Sequence, residues 1–543
     1  MKRFSNILLL LALLGVVVAA CAAPAAAPTT GGEAADTGAA VAEESAATGG
    51  TMIWVGHQEV AGLSPSDTGP TVQWAMIGNI HDALVMNDAN YELQPYLAES
   101  WEVTEDGLQY TFHLREGVKF HDGSDFTAED VKYTYEFYSN VENASTLVAN
   151  FKGMGAIETP DDYTVVINMD EPNAAFMVNA ATTFIVPSDY HSEVGEDTYR
   201  TAPIGTGPFK VVEWVPAEYT LLEANDDYFL GRPSLDFIRQ EVVPEPSVRA
   251  IALETGDAHY ATWPLLVEDS IRLRDSGEGY TVFDTPANSV KHFPLNNDHP
   301  ILGDKRVRQA MMYALDRQRI IDDLWNGAAV VADSNLTPAA PYHKEGLKTY
   351  DFDPEQAAAL LEEAGWMMGD DGIREKDGEP LSFTCVTITG DQARRPIAEL
   401  AQQMFKEVGI DMQLEEAPVA SILEAMPQGD MDCSLFNWTY GSAIDPDASS
   451  TLRSDGANNF SRFKNDRIDE LLDMGLRESD PEARRAYYDE IQEIIVEEVP
   501  FLFLQFDSWF DVFRPEVTNL PDPASTKNGN RLMIFANEMG LGG

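Results

Sequence analysis

The chain has 543 residues, of which 44% are hydrophobic and 10% aromatic, and this is enough to build a globular protein of two or three lobes. Its 90 acidic and 36 basic residues give a formal net charge of −54 at pH 7. A surface of that sign repels the phosphate backbone, which excludes a nucleic-acid-binding function. An acidic excess of this kind is typical of a well-hydrated secreted surface and says little about the charge of a ligand.

The start of the chain has the pattern of a secretory signal. A short cationic beginning precedes an apolar run over 7–20, which is shorter than the about 20 residues that span a bilayer. The run ends in the letters VAAC, which resemble the lipobox of bacterial lipoproteins. The resemblance implies a signal peptide over 1–21 and a diacylglycerol on the sulfur of Cys21. The alternative is an ordinary signal peptide with an incidental cysteine.

Residues 22–50 are rich in Ala, Gly, Pro, Thr and Glu and contain no aromatic residue. Such a segment cannot bury enough apolar surface to offset the entropy lost on ordering. We predict a flexible tether, about 30 Å long as a coil and about 100 Å when stretched. With a lipid on Cys21, it would hold an extracytoplasmic head on the bacterial membrane, on the periplasmic or cell-surface side. No second long apolar run follows.

The first elements of the body are a hairpin and a helix. Apolar residues alternate with polar ones over 101–103 and over 108–114, and an Asp-Gly pair between these runs predicts a tight turn. Thr127 and Asp130 have the spacing of a capping box, which predicts the N-terminus of a helix directly behind them.

The later half of the chain is richer in helix. One helix is expected over 305–325, capped by Asp304. Another begins behind Asp353 and stops at Gly365, and a third begins behind Asp480; a proline follows each of these two caps. Strand-like runs separate the helices, so we expect a mixed α/β fold.

The cysteines leave an open question. Besides Cys21, the chain contains only Cys385 and Cys433, and both lie in strand-like runs. A disulfide would suit an oxidising compartment, whereas two buried free thiols are the alternative, because pairing cannot be read from sequence.

Catalytic and metal-binding motifs do not stand out. The nine histidines include no H-E-x-x-H, and the chain has no G-x-S-x-G elbow and no P-loop. Gly205 and Gly207 lack the third glycine of a dinucleotide loop, and residues 121–125 favour a turn over a metal site. The stretch 445–456 lacks the glycine and the closing glutamate of an EF-hand. We therefore expect no catalytic residue, no metal and no cofactor.

Several stretches together are similar to the peptide-type (family 5) extracytoplasmic solute-binding proteins of ABC importers. The clearest is LAESWEVTEDGLQYTFHLREGVKFHDGSDFTAEDVKYTYE at 97–136. The others follow in the family's order, at 204–233, 293–320, 353–366 and 460–472. The resemblance reaches from about residue 52 to the C-terminus, and it rests on the ordered set, since no single motif is decisive.

The resemblance implies an α/β clamshell of two lobes, a type II, cluster C-like periplasmic-binding-protein fold with an extra subdomain inserted in lobe I. Crossovers near 290 and 505 would act as the hinge, and ligand would lie between the lobes. The expected bounds are 51–85, 206–290 and 505–543 for lobe I, 86–205 for the inserted subdomain and 291–504 for lobe II.

This family likeness also implies a function. The protein would capture a solute, with peptide as the leading class, and deliver it to the permease subunits of an ABC transporter. It would work as a monomer and would not be an enzyme, with ATP hydrolysed elsewhere. An oligosaccharide or another small solute is the second ligand class. The alternatives with a different function are a secreted hydrolase and an adhesin.

The expected ligand contacts come from the same resemblance. Peptide-binding relatives hold an extended peptide like an added strand, and a carboxylate shortly after a tryptophan clamps its α-ammonium. Trp438 matches that tryptophan, but Gly441 stands where the carboxylate is expected, and Asp445 lies further along. Trp438 and Tyr440 then stack on a flat ligand or pack in the core, and Asp445 attracts a cation or forms a turn before Pro446.

Two further segments are expected to line the cleft. Residues 56–65 match the family's first ligand-lining segment, where Ala61 and Gly62 would offer backbone groups. Gln505 and Phe506 lie at the second crossover and would reach the ligand from there.

Overall fold

The structure is a computed structural model, and it describes residues 49–67, 71–88, 91–143, 145, 147–178, 183–262, 265–391, 393–439, 445–523, 526–527 and 529–542. The predictions for the leader, Cys21 and the tether up to residue 48 lie outside the described residues, as do those for Tyr440 and Gly441.

Strands occur along the whole described chain. Up to residue 300 they are β1 Thr51–Gly56, β2 Val85–Asn87, β3 Leu93–Pro95, β4 Ala98–Val103, β5 Gln109–Leu114, β6 Met154–Asp161, β7 Thr164–Met169, β8 Phe209–Val215, β9 Tyr219–Ala224, β10 Phe237–Val242, β11 Tyr260–Ala261 and β12 Thr281–Pro294. Beyond it they are β13 Ala329–Val331, β14 Met367–Met368, β15 Arg374–Lys376, β16 Glu379–Pro380, β17 Ser382–Ile388, β18 Asp411–Ala417, β19 Cys433–Ser434, β20 Phe436–Trp438, β21 Phe501–Phe513, β22 Val517–Thr518 and β23 Gly540–Leu541.

Helices are longest in the later half. They are α1 Thr71–Ile80, α2 Ala128–Ser139, α3 Ser188–Val194, α4 Glu196–Tyr199, α5 Pro246–Thr255, α6 Val267–Asp275, α7 Lys305–Ala314, α8 Arg317–Trp325, α9 Pro354–Glu363, α10 Arg394–Glu407, α11 Val419–Gln428, α12 Ser449–Leu452, α13 Asp466–Arg477 and α14 Pro481–Glu498. Short 3₁₀ segments cover Val141–Asn143, Val148–Phe151 and Gly529–Glu538. Within the described part of the chain, no helix has both the length and the apolar content that crossing a membrane requires.

A nine-stranded mixed sheet joins the two halves of the protein. Its order is β20-β12-β21-β11-β1-β10-β9-β8, with β13 added on β21. β1 runs parallel to β10 and β11, whereas β12 and β21 pair antiparallel from Thr281 opposite Phe513 to Pro294 opposite Phe501. The register of this long ladder is irregular between Pro286 and Val290.

The two ends of the β12–β21 ladder are buried in different hydrophobic clusters. Phe283 and Phe513 pack with β1 and α1 in one cluster, while Val290 and Phe506 pack with the helices of residues 305–499 in a larger one. β1 is covered on both faces, as buried strands with parallel neighbours are. The ladder therefore connects two separate cores.

A third core lies under the four-stranded antiparallel sheet β4-β5-β7-β6. In the sequence, this sheet comes after β1 and before β8, the first two strands of the large sheet. The hairpin prediction is confirmed, because β4 pairs with β5 with Trp101 opposite Phe112, and Gly107 in the turn has a φ of +67°. The capping-box prediction is also confirmed, since the carboxylate of Asp130 accepts from the backbone N–H of Thr127 at 2.9 Å.

The predicted helix over 305–325 is wrong in one respect, because the chain forms two helices there. Asp304 caps α7 as expected, but α7 ends at Ala314, and Asp316 caps α8 by accepting from the backbone N–H of Arg319 at 3.0 Å. The buried guanidinium of Arg317 donates to the carbonyls of Ala332 and Tyr350, which fixes the new direction. The helices predicted behind Asp353 and Asp480 are confirmed as α9 and α14.

Two motifs interpreted as turns lie against each other. His121 donates from Nε2 to the carbonyl of Gly207 at 2.9 Å, and the N–H of Gly205 donates to its Nδ1 at 3.3 Å. Burial lowers the pKa of His121 to about 4, so the ring is neutral. A Cβ at Gly205 would lie 1.9 Å from the carbonyl oxygen of Ile80, which explains the glycine by close backbone approach.

Candidate ligand-binding site

The β12–β21 ladder is most open where it passes from one core to the other. In β21, residues 507–509 are half-buried, whereas the residues on either side are buried. The register break in β12 lies opposite this segment. A polar network occupies the same place.

The carboxylate of Asp507 is the centre of that network. Gln505 donates from Nε2 to its Oδ1 at 2.7 Å, and the ammonium of Lys291 lies 3.0 Å from its Oδ2. Asn437 donates to the same Oδ2 at 3.3 Å. Burial lowers the pKa of Lys291, although Asp507 opposes the shift, and the ammonium also lies 4.2 Å from the ring centre of Trp325. The buried charges thus balance each other.

Two buried oxygens of the network have no donor in the described residues. They are Oε1 of Gln505 and Oδ1 of Asn437. Both residues pair with Lys291 across the sheet, from opposite sides of β12, so their side chains lie on the same face. A buried acceptor without a donor costs about 1–3 kcal/mol, and an N–H group of a ligand or a water molecule would remove that cost.

Strand β20 gives the site a free edge. It pairs with β12 on one side, and no strand of the described residues pairs with its other side. An edge strand presents unpaired N–H and C=O groups. The ring of Trp438 is half-buried and packs edge-on against Phe460, with 4.9 Å between ring centres, and beside Phe436 at 5.8 Å. Core packing therefore occupies at least part of the Trp438 ring.

Asp445 is held in a buried ion pair. Its Oδ2 lies 2.7 Å from the guanidinium of Arg484, which also stacks near the rings of Tyr342 and Tyr488. Burial opposes the charge on Arg484, but pairing with Asp445 outweighs it and holds the pKa of the guanidinium above its usual value. A ligand cation at Asp445 would have to compete with Arg484.

Ala61 and Gly62 lie beside a different cavity. The N–H of Ala61 donates to Oε1 of Gln73 at 3.2 Å, and a Cβ at Gly62 would lie 2.1 Å from the carboxylate of Asp67. The cavity has a volume of about 320 Å³, and its lining includes Ala61 and Asp67, with Arg200 paired to Asp67 at 2.5 Å. Its walls come from residues 61–73 and from the part of the chain between 137 and 200.

The structure thus brings together only some of the residues that the sequence singled out. Trp438 on β20 and Gln505 and Phe506 on β21 flank the same strand, β12, and Phe506 is fully buried. Lys291, Asn437 and Asp507 were missed, because their importance depends on cross-strand pairing. The available signal was a charged residue inside an apolar run, in VKHF around 291 and in LQFDSW around 507.

The model of the bacterial extracellular solute-binding proteins, family 5, middle region, matches residues 92–461. This chain belongs to that family. Members act outside the cytoplasm, so the extracytoplasmic location expected from the sequence is confirmed. The family resemblance noted from the quoted stretches is confirmed as well.

Known relatives extend the match to most of the chain. The oligopeptide-binding protein AppA of Bacillus subtilis is 30% identical over 442 residues, which cover 79% of this chain and 80% of that protein. The structure of AppA with a nonapeptide has a TM-score of 0.75 at 26% identity, covering 92% of this chain and all of that one. The structure of NikA from Brucella suis with Fe(III)-EDTA has a TM-score of 0.81 at 28% identity, covering 91% and 100%. These likenesses confirm the two-lobe α/β fold of type II.

Proposed function

We propose that this solute-binding protein captures a peptide between its two lobes and delivers it to the permease of an ABC importer, with no catalysis of its own. The observation that carries the proposal is the free edge of β20 beside the β12–β21 ladder. An extended peptide adds to such an edge as a further strand, with main-chain hydrogen bonds that tolerate varied side chains. The nonapeptide bound by the relative AppA supports this ligand class.

The lobes in this proposal have the bounds expected from the sequence. Lobe I takes 51–85, 206–290 and 505–543, with 86–205 inserted, and lobe II takes 291–504. The separate burial of the two ends of the β12–β21 ladder supports a hinge near 290 and 505. The N–H of Ala174, in the inserted subdomain, donates to the carbonyl of Leu476 in lobe II at 2.8 Å. Ligand would favour a closed arrangement by contacting both lobes.

The ligand contacts that we propose centre on the Asp507 network. Peptide N–H groups would donate to Oε1 of Gln505 and Oδ1 of Asn437, and the peptide backbone would pair along Trp438. Because Arg484 already balances the charge of Asp445, binding should not require a free α-ammonium group. Ala61 and Gly62 would contribute their backbone carbonyls from lobe I, since the N–H of Ala61 already donates to Gln73. Tyr440 would stack on the ligand, and Phe506 would support Gln505 from the core.

We further propose that the mature protein is a monomer held on the membrane by a lipid on Cys21 and the tether 22–50. Cys21→Ser should move the protein from the membrane fraction to the soluble extracytoplasmic fraction, because the anchor would be lost. Immunoblotting of the two fractions measures this, with Cys385→Ser as the matched control that should stay on the membrane. Unchanged membrane association of the Cys21 variant would refute the anchor.

The ligand class is tested by thermal shift of the purified protein against short peptides, their N-acetylated forms, oligosaccharides and metal chelates. A ligand that binds the native state raises Tm with its concentration. We expect both peptide forms to raise Tm equally and the other classes to leave it unchanged. Stabilisation by chelates or sugars alone would refute the peptide assignment, and loss of the shift on N-acetylation would refute the role given to Arg484.

The same assay tests the proposed contacts. Gln505→Leu should shrink the Tm shift given by peptide, because it removes the buried acceptor. Gln413→Leu is the matched control, since the side chain of Gln413 is exposed on β18 and donates to Asp411 on the same strand. An undiminished peptide shift in the Gln505 variant would place the ligand elsewhere.

A further inference from the structure

Cys385 and Cys433 are neighbours in the small parallel sheet β18-β17-β19. Cys385 lies on β17 and Cys433 on β19, and the two residues stand directly opposite each other in the parallel register. Helices α10 and α11 make the crossovers that parallel strands require. Strands in one sheet lie about 4.8 Å apart, which is within the Cα separation that a disulfide spans.

The side chains point toward each other. The two sulfur atoms are 3.0 Å apart, and both residues are fully buried. Bonding distance is therefore reached by a small rotation about the side-chain bonds, without a shift of either strand. The family works outside the cytoplasm, where oxidising conditions favour disulfides.

We propose that Cys385 and Cys433 are joined by a disulfide bond in the secreted protein. The two thiols lose two electrons and two protons to a disulfide-bearing oxidant, whose own S–S bond is reduced to two thiols. The bond forms during folding, before β19 is covered, because the finished core excludes the oxidant. In a chain that folds with both thiols reduced, burial of Cys433 and its contact to Cys385 raise the pKa of the Cys433 thiol, so the folded pair reacts slowly with an oxidant.

The bond would have a consequence for ligand binding. β19 is separated from β20 by Leu435 alone, and β20 supplies the free edge of the candidate site. A covalent link from β19 to β17 fixes the start of β20 to the sheet of lobe II. It also closes a loop of 48 positions, which restricts the unfolded chain and raises stability.

The test is peptide mapping of the full chain secreted through its own leader. The protein is denatured without reductant and treated with iodoacetamide, and a second sample is reduced first. We expect the peptides containing Cys385 and Cys433 to appear as one cross-linked, unlabelled species, and both cysteines to be labelled only after reduction. Labelling of both cysteines without reduction would overturn the proposal.

Two controls make the result specific. In Cys433→Ser, Cys385 should be labelled without reduction, which shows that the reagent reaches the denatured thiol; this readout does not require the variant to fold. Reductant should lower the Tm of the native sequence by a few degrees and leave Tm unchanged in a Cys385→Ala, Cys433→Ala double variant. Mapping first confirms that the reductant has reduced both cysteines of the native sequence. If Tm is then the same with and without reductant, the disulfide does not stabilise the protein.

Discussion

Lys291 and Asp507 show how a single pair of residues sets the chemistry of the hinge region. Lys291 is almost fully buried, and its charge is tolerated because Asp507 faces it at 3.0 Å while Gln505 and Asn437 donate to the same carboxylate. A buried pair of this kind adds little net stability, but breaking it is expensive, because one charge is left without a partner. The pair therefore holds Oε1 of Gln505 and Oδ1 of Asn437 in position.

Asp507→Ala should lower the free energy of unfolding by about 3–5 kcal/mol, because Lys291 is left buried and unpaired. The double variant Lys291→Met, Asp507→Leu should lose much less, since no uncompensated charge remains. Urea unfolding of the native sequence and of both variants measures this. Equal losses in the single and the double variant would contradict the buried ion pair.

Asp82 predicts a pH dependence of stability. It is fully buried, with Thr206 and Tyr228 donating to its carboxyl, and burial raises its pKa to about 7 despite these two donors. Between about pH 4 and pH 7 the folded protein keeps a proton that the unfolded chain releases. The contribution of Asp82 to the free energy of unfolding therefore falls as pH rises, by about 1.4 kcal/mol per pH unit.

The measurement is the difference in the free energy of unfolding between the native sequence and Asp82→Asn at several pH values. As pH rises from about 4 to about 7, the free energy of unfolding of the native sequence should fall relative to that of Asp82→Asn. Asp511→Asn should give the same sign, because burial also raises the pKa of Asp511 to about 7. A difference that does not change with pH would contradict the raised pKa of Asp82.

At the scale of elements, local rules were enough to predict the starts of α2, α7, α9 and α14, but not the end of α7 or the start of α8. Asp304, Asp353 and Asp480 cap their helices as the sequence indicates, because a cap depends on residues within one turn. The break at Asp316 was missed, since it depends on Arg317 reaching carbonyls elsewhere in the fold. Lys291 and Asn437 of the candidate site were missed for the same reason, because they meet Gln505 only through strand pairing.

Asp316→Ala should lower the free energy of unfolding by about 0.5–2 kcal/mol, because the first turn of α8 loses its cap. Asp323→Ala is a suitable control on the same helix, since its pair with Arg319 is exposed and contributes about 0.5 kcal/mol or less. Chemical denaturation of both variants gives the comparison. If the two variants lost the same amount, the separate start of α8 would not matter for stability.

At the scale of the whole molecule, the family likeness predicted more than the residues did by themselves. The two-lobe fold was predictable because five stretches occur in the family's order, and family membership confirms it. The ligand contacts were less predictable. Asp445 lies four residues beyond the position expected for the ligand-binding carboxylate, and the fold pairs it with Arg484 of α14. The order of the five stretches in the sequence predicts the fold, whereas the partner of each side chain depends on tertiary packing.

The proposed function requires two lobes that close on a ligand through the β12–β21 ladder. Small-angle X-ray scattering of the purified protein, without ligand and then with saturating peptide, tests this most directly. We expect a smaller radius of gyration when peptide is bound. An unchanged radius of gyration with peptide fully bound would contradict it.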